Sequence, residues 1–187
     1  MIFFFPNLSH NLQGGFFYME EPYVPSHMEE HISKEYIKRG ILQPGDLTIT
    51  NIVNKFDIQI YHHPYASFST EDAGIRFIFI NTNLPIMEFK KVFFHELCHL
   101  LRHVGEQDQM PYPFRELQEW EADNFIKYAM IPYHMLSYFK EDDIYYTSEL
   151  FNVSVKVCRD RMLSLQARRP YKKNYIFHQL VPALSGC

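Results

Sequence analysis

"KKVFFHELCHLLRH", residues 90–103, contains the pattern His-Glu-x-x-His. If this stretch is helical, each residue advances by about 100°, so His95 and His99 are separated by about 40° and share one face. Two imidazoles on one face can bind a single metal ion, and Glu96 can reach a water molecule beside it. The stretch therefore predicts either a metal-binding helix or an ordinary amphipathic helix with a polar face.

The apolar residues of the same stretch lie on the opposite side of the predicted helix. With His95 placed at 0°, Glu96, His99 and His103 fall between about 40° and 100°. Cys98 lies toward the apolar side, so we expect it to be packed rather than to bind metal. This distribution fits a buried helix that presents a metal to a cleft, and it equally fits a core helix with a solvated face. The apolar residues, between about 140° and 260°, are Phe93, Phe94, Leu97, Leu100 and Leu101.

A third metal ligand would distinguish these interpretations, because a catalytic zinc ion usually takes three protein ligands and leaves a fourth position for water. The residue six positions after His99 is Gly105, which excludes the extended motif with a third histidine there. The stretch "RELQEWEADNF", residues 115–125, is the alternative source of a ligand. Its carboxylates are Glu116, Glu119, Glu121 and Asp123.

Helical phase selects among these carboxylates. With Glu119 at 0°, the apolar residues of this second helix centre near about 310°, so Glu119 lies at the edge of the buried face. Glu121 lies about 110° from that centre on the other flank, and Asp123 lies about 40° from Glu119. We therefore predict Glu119 as the third ligand and Glu121 as the fallback ligand. Asp123 is predicted to hold the imidazole nitrogen of a ligating histidine that does not bind the metal.

The predicted cofactor is one Zn²⁺ per chain, bound by His95, His99 and Glu119.

The remaining chain predicts several helices and a small sheet. Alternating apolar residues in "FDIQIYHH" and "GIRFIFIN" are typical of strands, and Asp46 is a candidate N-cap for a short helix. The order of these elements favours the α+β class. The predicted helices are 27–39, 47–54, 85–103 and 115–131, the predicted strands are 56–63, 66–70 and 74–81, and a helix–turn–helix rhythm covers 148–166.

The length of 187 residues and a hydrophobic content of 47% predict one folded domain with short additions. The first 18 residues carry no charge, and we expect them to be a disordered or mis-assigned leader. The predicted organisation is a leader at 1–18, a metal-binding domain at 19–135, a helical segment packed on it at 136–169, and a tail at 170–187.

Charge and cysteine content restrict the class of protein. The net charge of -4 gives no general reason to expect a nucleic-acid-binding protein. The three cysteines are far apart and form no CxxC motif, which fits a reducing compartment. No apolar run reaches the roughly 20 residues that span a bilayer. We therefore expect a cytoplasmic protein with no membrane partner.

Four segments together resemble the ImmA/IrrE family of metallopeptidases. They are "FFHELCHLLRH", "LQEWEADNFIKYAMIP", the strand ending "IFIN" and the C-terminal "FNVSVKVCRDRM". The resemblance covers about residues 29–166, and it is much more specific than the five-residue motif alone.

The resemblance implies a zincin-like α+β fold, with a small, mostly antiparallel sheet packed on the HExxH helix and on a second ligand helix, followed by C-terminal helices. It also implies that His95, His99 and Glu119 bind zinc and that Glu96 is the general base. Members of the ImmA branch are cytoplasmic proteins of bacteria, phages or mobile elements. They cleave a helix-turn-helix repressor, so the implied partner is such a repressor.

Further roles are predicted for residues near the motif. His103 shares the metal face and is a candidate donor to the transition state, with Tyr112 as a weaker one. The strand at 74–81 is a candidate to pair with an extended substrate backbone.

Two alternative functions remain open. A DNA-binding regulator is suggested by the helix–turn–helix rhythm and the basic stretch 156–173, although Val155, Val157 and Met162 predict that much of the second helix is buried. A non-proteolytic, zinc-stabilised regulator that binds the repressor is the second alternative.

Overall fold

The computed structural model describes residues 23–103 and 110–168. The predicted leader at 1–18 and the predicted tail at 170–187 lie outside the described residues. The strands are β1 (Ile58–His63), β2 (Phe68–Asp72) and β3 (Ile75–Asn81), and short 3₁₀ segments cover Pro44–Asp46 and Tyr133–Tyr138. The helices are α1 (His27–Lys38), α2 (Ile49–Phe56), α3 (Ile86–Arg102), α4 (Tyr112–Met130), α5 (Ile144–Phe151) and α6 (Val155–Arg168).

The three strands form one mixed sheet in the order β1-β3-β2. β3 is parallel to β1, with Ile78 opposite Ile60, and antiparallel to β2. A tight turn through Ala73 and Gly74, both with positive φ, joins β2 to β3. The predicted α+β class is confirmed. The sheet is mixed rather than mostly antiparallel, because β1 runs parallel to its neighbour.

β3 occupies the centre of this sheet, with a strand paired on each side. The prediction that the strand at 74–81 pairs with a substrate backbone is therefore wrong, because its hydrogen-bonding edges are already used. The edge strands are β1 and β2. Ile78 and Ile80 of β3 are fully buried, whereas Phe79 on the opposite face stacks on Phe68 of β2.

α3 follows Pro85, whose fixed φ suits the start of a helix. Its apolar side is packed in the core, as the helical phase predicts, and Cys98 belongs to this side. Burial raises the pKa of the Cys98 thiol to about 12, so it is protonated at neutral pH and is not a metal-binding thiolate. The fully buried residues of α3 are Phe93, Phe94, Leu97 and Cys98.

α4 begins at Tyr112, three residues before the predicted start. Pro111 is its N-cap and Pro113 lies in the first turn, where a missing backbone N–H costs nothing. The buried side of α4 includes Ala122, Phe125 and Ala129, all fully excluded from solvent. This packing fixes the rotation of α4 and therefore the direction of its polar side chains.

A buried ion pair joins α1 to α6. Nη1 of Arg161 lies 2.6 Å from Oε1 of Glu29, and both side chains are fully buried. The other carboxylate oxygen of Glu29 accepts from the backbone N–H of Ser26, the N-cap of α1. Nε of Arg161 donates to the carbonyl of Ile131, at the end of α4. Three helices therefore meet at this pair.

The predicted helix–turn–helix at 148–166 is confirmed as α5 and α6. α5 ends at Asn152, which adopts the left-handed conformation with φ of 48°. Nζ of Lys90 on α3 donates to the carbonyls of Phe151 and Asn152, at 3.0 and 2.9 Å. The C-terminal end of α5 is therefore held against the metal-motif helix.

The predicted N-cap of α2 is wrong by two residues. Oγ1 of Thr48 accepts from the backbone N–H of Asn51 and caps the helix. Asp46 instead accepts from the backbone N–H groups of Leu42 and Gln43, closing the preceding turn. Within the described residues, no helix combines the length and apolar character needed to cross a bilayer.

Candidate metal centre and active-site cleft

Two helices bring the predicted ligands together. α3 carries His95 and His99, and α4 carries Glu119. Nε2 of His95 lies 3.1 Å from Nε2 of His99 and 3.1 Å from Oε2 of Glu119. Nε2 of His99 lies 3.5 Å from Oε1 of Glu119. One ligand atom from each residue lies within 4.8 Å of the others, close enough for one cation to contact all three.

The donor set fits a zinc ion. Nδ1 of His95 lies 3.2 Å from Oδ1 of Asp123, so a proton on Nδ1 leaves the lone pair of Nε2 facing His99 and Glu119. Two imidazole nitrogens and one carboxylate are the ligands of one common class of catalytic zinc site. Two nitrogen lone pairs and a carboxylate at these distances repel one another, and a cation between them would offset that repulsion.

His99 is suited to metal binding in its neutral form. Burial lowers its pKa to about 4, and this effect outweighs the opposing attraction of the Glu119 carboxylate. The imidazole is therefore neutral at physiological pH. A neutral imidazole is the form that binds a metal ion, so little free energy is spent on removing a proton.

Glu96 lies beside the cluster formed by His95, His99 and Glu119, and its side chain is largely buried. Burial raises the pKa of its carboxyl to about 7, against the attraction of His95 and a hydrogen bond with Ser69, while Glu119 adds to the rise. A carboxyl group with a pKa near neutrality can both accept and return a proton, which is the requirement for a general base.

Asp123 lies where the helical phase predicts a supporting carboxylate. Its Oδ1 contacts the nitrogen of His95 that faces away from Glu119. α4 thus provides a candidate ligand, Glu119, and, one turn later, the group that orients another candidate ligand. The roles of these residues toward a metal stay predictions.

Two other predicted residues, His103 and Glu121, are linked to the cluster through His99. Nδ1 of His103 lies 2.8 Å from Nδ1 of His99, and its Nε2 lies 3.1 Å from Oε2 of Glu121. Oε1 of Glu121 accepts from Nε of Arg102 at 2.6 Å. His103 therefore contacts the outer nitrogen of His99 with one ring nitrogen and Glu121 with the other. The predicted roles of His103 as a transition-state donor and of Glu121 as a fallback ligand stay predictions.

A cleft of about 390 Å³ opens beside the cluster. It runs along the segment that leads into β2 and along one side of α3. Apolar and polar groups both contribute to its walls, as expected of a site that holds a peptide. The lining residues are Tyr65, Ala66, Ser67, Asn81, Leu84, Lys91, Val92, His95, Glu96, Asp123 and Ile126.

Sequence reasoning missed Ser69 and the approach of β2 to the site. Ser69 points to the same face as the buried residues of the sheet and reaches Glu96. A serine in a short strand carries no chemical signal by itself. The non-local packing of the β2–β3 hairpin against α3 brings it to Glu96.

A family model described as the IrrE N-terminal-like domain of the M78 peptidases matches residues 53–163. The chain belongs to this family. The match confirms the resemblance to the ImmA/IrrE proteins and the zincin-like interpretation of the α+β fold. The matched residues of this M78 domain run from α2 to α6 and contain the whole metal cluster.

Two relatives come from Bacillus subtilis (strain 168). The "Phage-like element PBSX protein XkdA" is 34% identical over 111 residues, which cover 59% of this chain and 56% of XkdA. The "Uncharacterized protein YqaB" is 29% identical over 164 residues, which cover 85% of this chain and 94% of YqaB. This chain is therefore similar to little more than half of the first relative and to nearly all of the second.

Proposed function

We propose that this chain is a zinc-dependent endopeptidase that cleaves a helix-turn-helix repressor of a phage or mobile element in the cytoplasm, and so relieves repression. The proposal is carried by the convergence of His95, His99 and Glu119 beside a cleft that is lined by His95 and Glu96. Membership of the M78 family supports a peptidase-like domain. The printed name of XkdA, a phage-like element protein, supports the biological setting.

The chemistry divides between the cation and Glu96. His95, His99 and Glu119 would hold a zinc ion, which would supply a Lewis acid toward the scissile carbonyl. Glu96 accepts the proton of the attacking water and passes it to the nitrogen of the leaving amine. In the metal-free site burial raises the pKa of the Glu96 carboxyl to about 7. A bound cation would lower this pKa and keep the carboxylate ionised, which is the form that accepts a proton.

The edge of β2 offers a site for the substrate backbone. Within the described residues, β2 pairs with β3 on one side only. Residues 65–67 before β2 line the cleft, and Ser69 within β2 reaches Glu96. An extended peptide can add to such an edge by main-chain hydrogen bonds. We therefore expect the cleaved bond of the repressor to lie in an extended linker rather than inside a folded helix.

The second helix of the helix–turn–helix is poorly suited to reading DNA. Arg161 and Cys158 of α6 are fully buried, and Val157 is nearly so. Lys156 is exposed but pairs with Asp160 at 2.8 Å. A basic face with its central arginine buried supports docking of a protein better than direct nucleic-acid binding. DNA binding is therefore not part of the proposal.

The test combines the purified protein with the repressor encoded next to it. Reactions contain the native protein, the native protein with a zinc chelator, Glu96→Gln, and the control Glu88→Gln. Glu88 lies on α3 as well, but it is exposed and outside the cleft. Mass spectrometry of the products locates any cleavage, and zinc analysis checks that Glu96→Gln retains its metal.

Cleavage by the native protein and Glu88→Gln, with loss of about 10²-fold or more in Glu96→Gln and with chelator, is the expected result. The same product pattern in all four reactions would show that the peptidase proposal is wrong. Zinc-dependent binding of the repressor without cleavage would instead establish the non-proteolytic regulator. Salt-sensitive binding to DNA alone would favour the DNA-binding alternative.

A further inference from the structure

A line of polar contacts runs from His99 of the candidate metal cluster through residues that do not line the cleft. It runs from Nδ1 of His99 to Nδ1 of His103 at 2.8 Å, and from Nε2 of His103 to Glu121 at 3.1 Å. Glu121 ends the line by accepting from Arg102 at 2.6 Å. The side chain of His103 is only 6% exposed, and neither His103 nor Glu121 lines the cleft.

The direction of each hydrogen bond in this line follows from its outer end. A guanidinium only donates, and the carboxylate that it pairs with only accepts. Nε2–H of His103 therefore donates a hydrogen bond to Glu121. In a neutral imidazole the second nitrogen then carries a lone pair, so Nδ1 of His103 accepts from Nδ1 of His99.

The last step fixes the state of His99 at the cluster. With its one proton on Nδ1, neutral His99 has its lone pair on Nε2. That atom lies 3.1 Å from Nε2 of His95 and 3.5 Å from Glu119, at the predicted metal position. The other neutral tautomer of His99, with its proton on Nε2, could not bind a metal through that atom.

We infer that His103 and Glu121 are positioning residues that hold His99 in the Nδ1–H tautomer and thereby prepare its Nε2 to bind the metal. This inference rests on the proposed zinc site. In this assignment the carboxylate of Asp123 orients His95, whereas the pair His103–Glu121 orients His99. Neither positioning residue touches the substrate.

The tautomers are measured directly in the metal-free, full-length protein. Long-range ¹H–¹⁵N spectra of histidine-labelled protein distinguish Nδ1–H from Nε2–H imidazoles. We expect His99 as Nδ1–H and His103 as Nε2–H. Finding the proton of His99 on Nε2 would overturn the inference. This readout needs neither zinc nor catalysis.

Three variants then test the consequence for zinc affinity, measured by competition with a chromophoric chelator. His103→Leu removes the acceptor, and we expect affinity to fall by about 10- to 100-fold. His103→Asn keeps an oxygen close to the position of Nδ1, and it should retain most of the affinity. A buried structural role would not separate these two variants in this way.

The third variant, Glu121→Gln, is expected to exchange donor and acceptor in the hydrogen bonds from residue 121 to His103 and from His103 to His99. Its carbonyl oxygen stays with Arg102, so its amide N–H₂ faces Nε2 of His103, which must then accept. The proton of His99 is thereby driven to Nε2, and zinc affinity should fall by about 10- to 100-fold. The control is Glu116→Gln, an exposed residue of the same helix.

Unchanged zinc affinity in both His103→Leu and Glu121→Gln would overturn the inference, provided that circular dichroism shows both to be folded. If a variant fails to fold, the histidine tautomers of the native protein and the zinc affinity of His103→Asn still test the inference. Absence of zinc binding by the native protein would contradict the proposed function instead, and the tautomers would remain measurable as a separate result.

Discussion

Oδ1 of Asp123 lies 3.2 Å from Nδ1 of His95, while the other nitrogen of the same imidazole lies 3.1 Å from Glu119. One turn of α4 therefore contacts both ends of a single histidine of α3. The rotation of α4, fixed by its buried residues Ala122 and Phe125, determines both contacts together.

Asp123→Ala is expected to weaken zinc binding without abolishing it. The carboxylate orients His95 and makes its Nε2 a better donor, and losing such a group typically costs about 10- to 100-fold in affinity. Competition with a chelator measures the change, and Glu116→Ala is the exposed control on the same helix. Native-like affinity in Asp123→Ala would show that His95 is oriented without it.

Glu119→Ala and Glu121→Ala should separate the predicted ligand from the fallback ligand. Glu119 lies at the cluster, so its loss should remove stoichiometric zinc from the purified protein. Glu121 contacts His103 and Arg102, so its loss should leave one zinc per chain at saturation, bound less tightly. Metal analysis after dialysis against saturating zinc gives the ratio. A reversed result would exchange the two assignments.

The sequence was informative about the site where one helix determines the outcome. The phase of α4 alone indicates that Glu119 and Asp123 share a side, and the structure brings both to His95. His103 shows the limit of this reasoning. Its phase on α3 indicates the metal face, but its Nδ1 contacts His99 and its Nε2 contacts Glu121 of α4.

Strand order shows the same limit on the scale of the fold. Alternation predicts β1, β2 and β3 within about two residues at each end, since it depends on the local chain. Alternation does not predict that β3 lies between β1 and β2, because the order of strands depends on the whole sheet. The position of Ser69 beside Glu96 depends on how the β2–β3 hairpin packs on α3, and this packing has no local signal.

The buried pair Glu29–Arg161 is expected to be important for stability. Glu29→Gln leaves the Arg161 guanidinium buried without its counter-charge, which should lower the free energy of unfolding by about 3–5 kcal/mol. Urea denaturation followed by circular dichroism measures the loss. Exposed Glu30→Gln, the adjacent residue of α1, serves as the control. A loss below about 1 kcal/mol, the range of a surface pair, would mean that water or another group compensates Arg161.

Asn152 is expected to tolerate glycine but not a β-branched residue. Its φ of 48° lies in the left-handed region, which glycine adopts without strain and valine does not. Asn152→Gly should leave the free energy of unfolding nearly unchanged, and Asn152→Val should lower it by about 1–2 kcal/mol. Urea denaturation of both variants provides the comparison. Equal losses would indicate that the asparagine side chain, rather than the backbone conformation, is what matters at the end of α5.

The contribution of Glu29 is expected to disappear in acid. Burial alone would raise the pKa of this carboxyl, but Arg161 and the hydrogen bonds from Ser26 and Tyr23 outweigh it and lower the pKa below its ordinary value of 4.5. A lowered carboxyl pKa stabilises the fold above the unfolded value, and the stabilisation is lost as the pH falls through the folded value. The difference in unfolding free energy between the native protein and Glu29→Gln should therefore be constant from pH 7 to about 5 and narrow below about 4.5. A difference that stays constant in acid would show that the pKa of Glu29 is the same in the folded and unfolded states, and a difference that grows would show that folding raises this pKa. Either result would contradict the lowered pKa that the ion pair with Arg161 predicts.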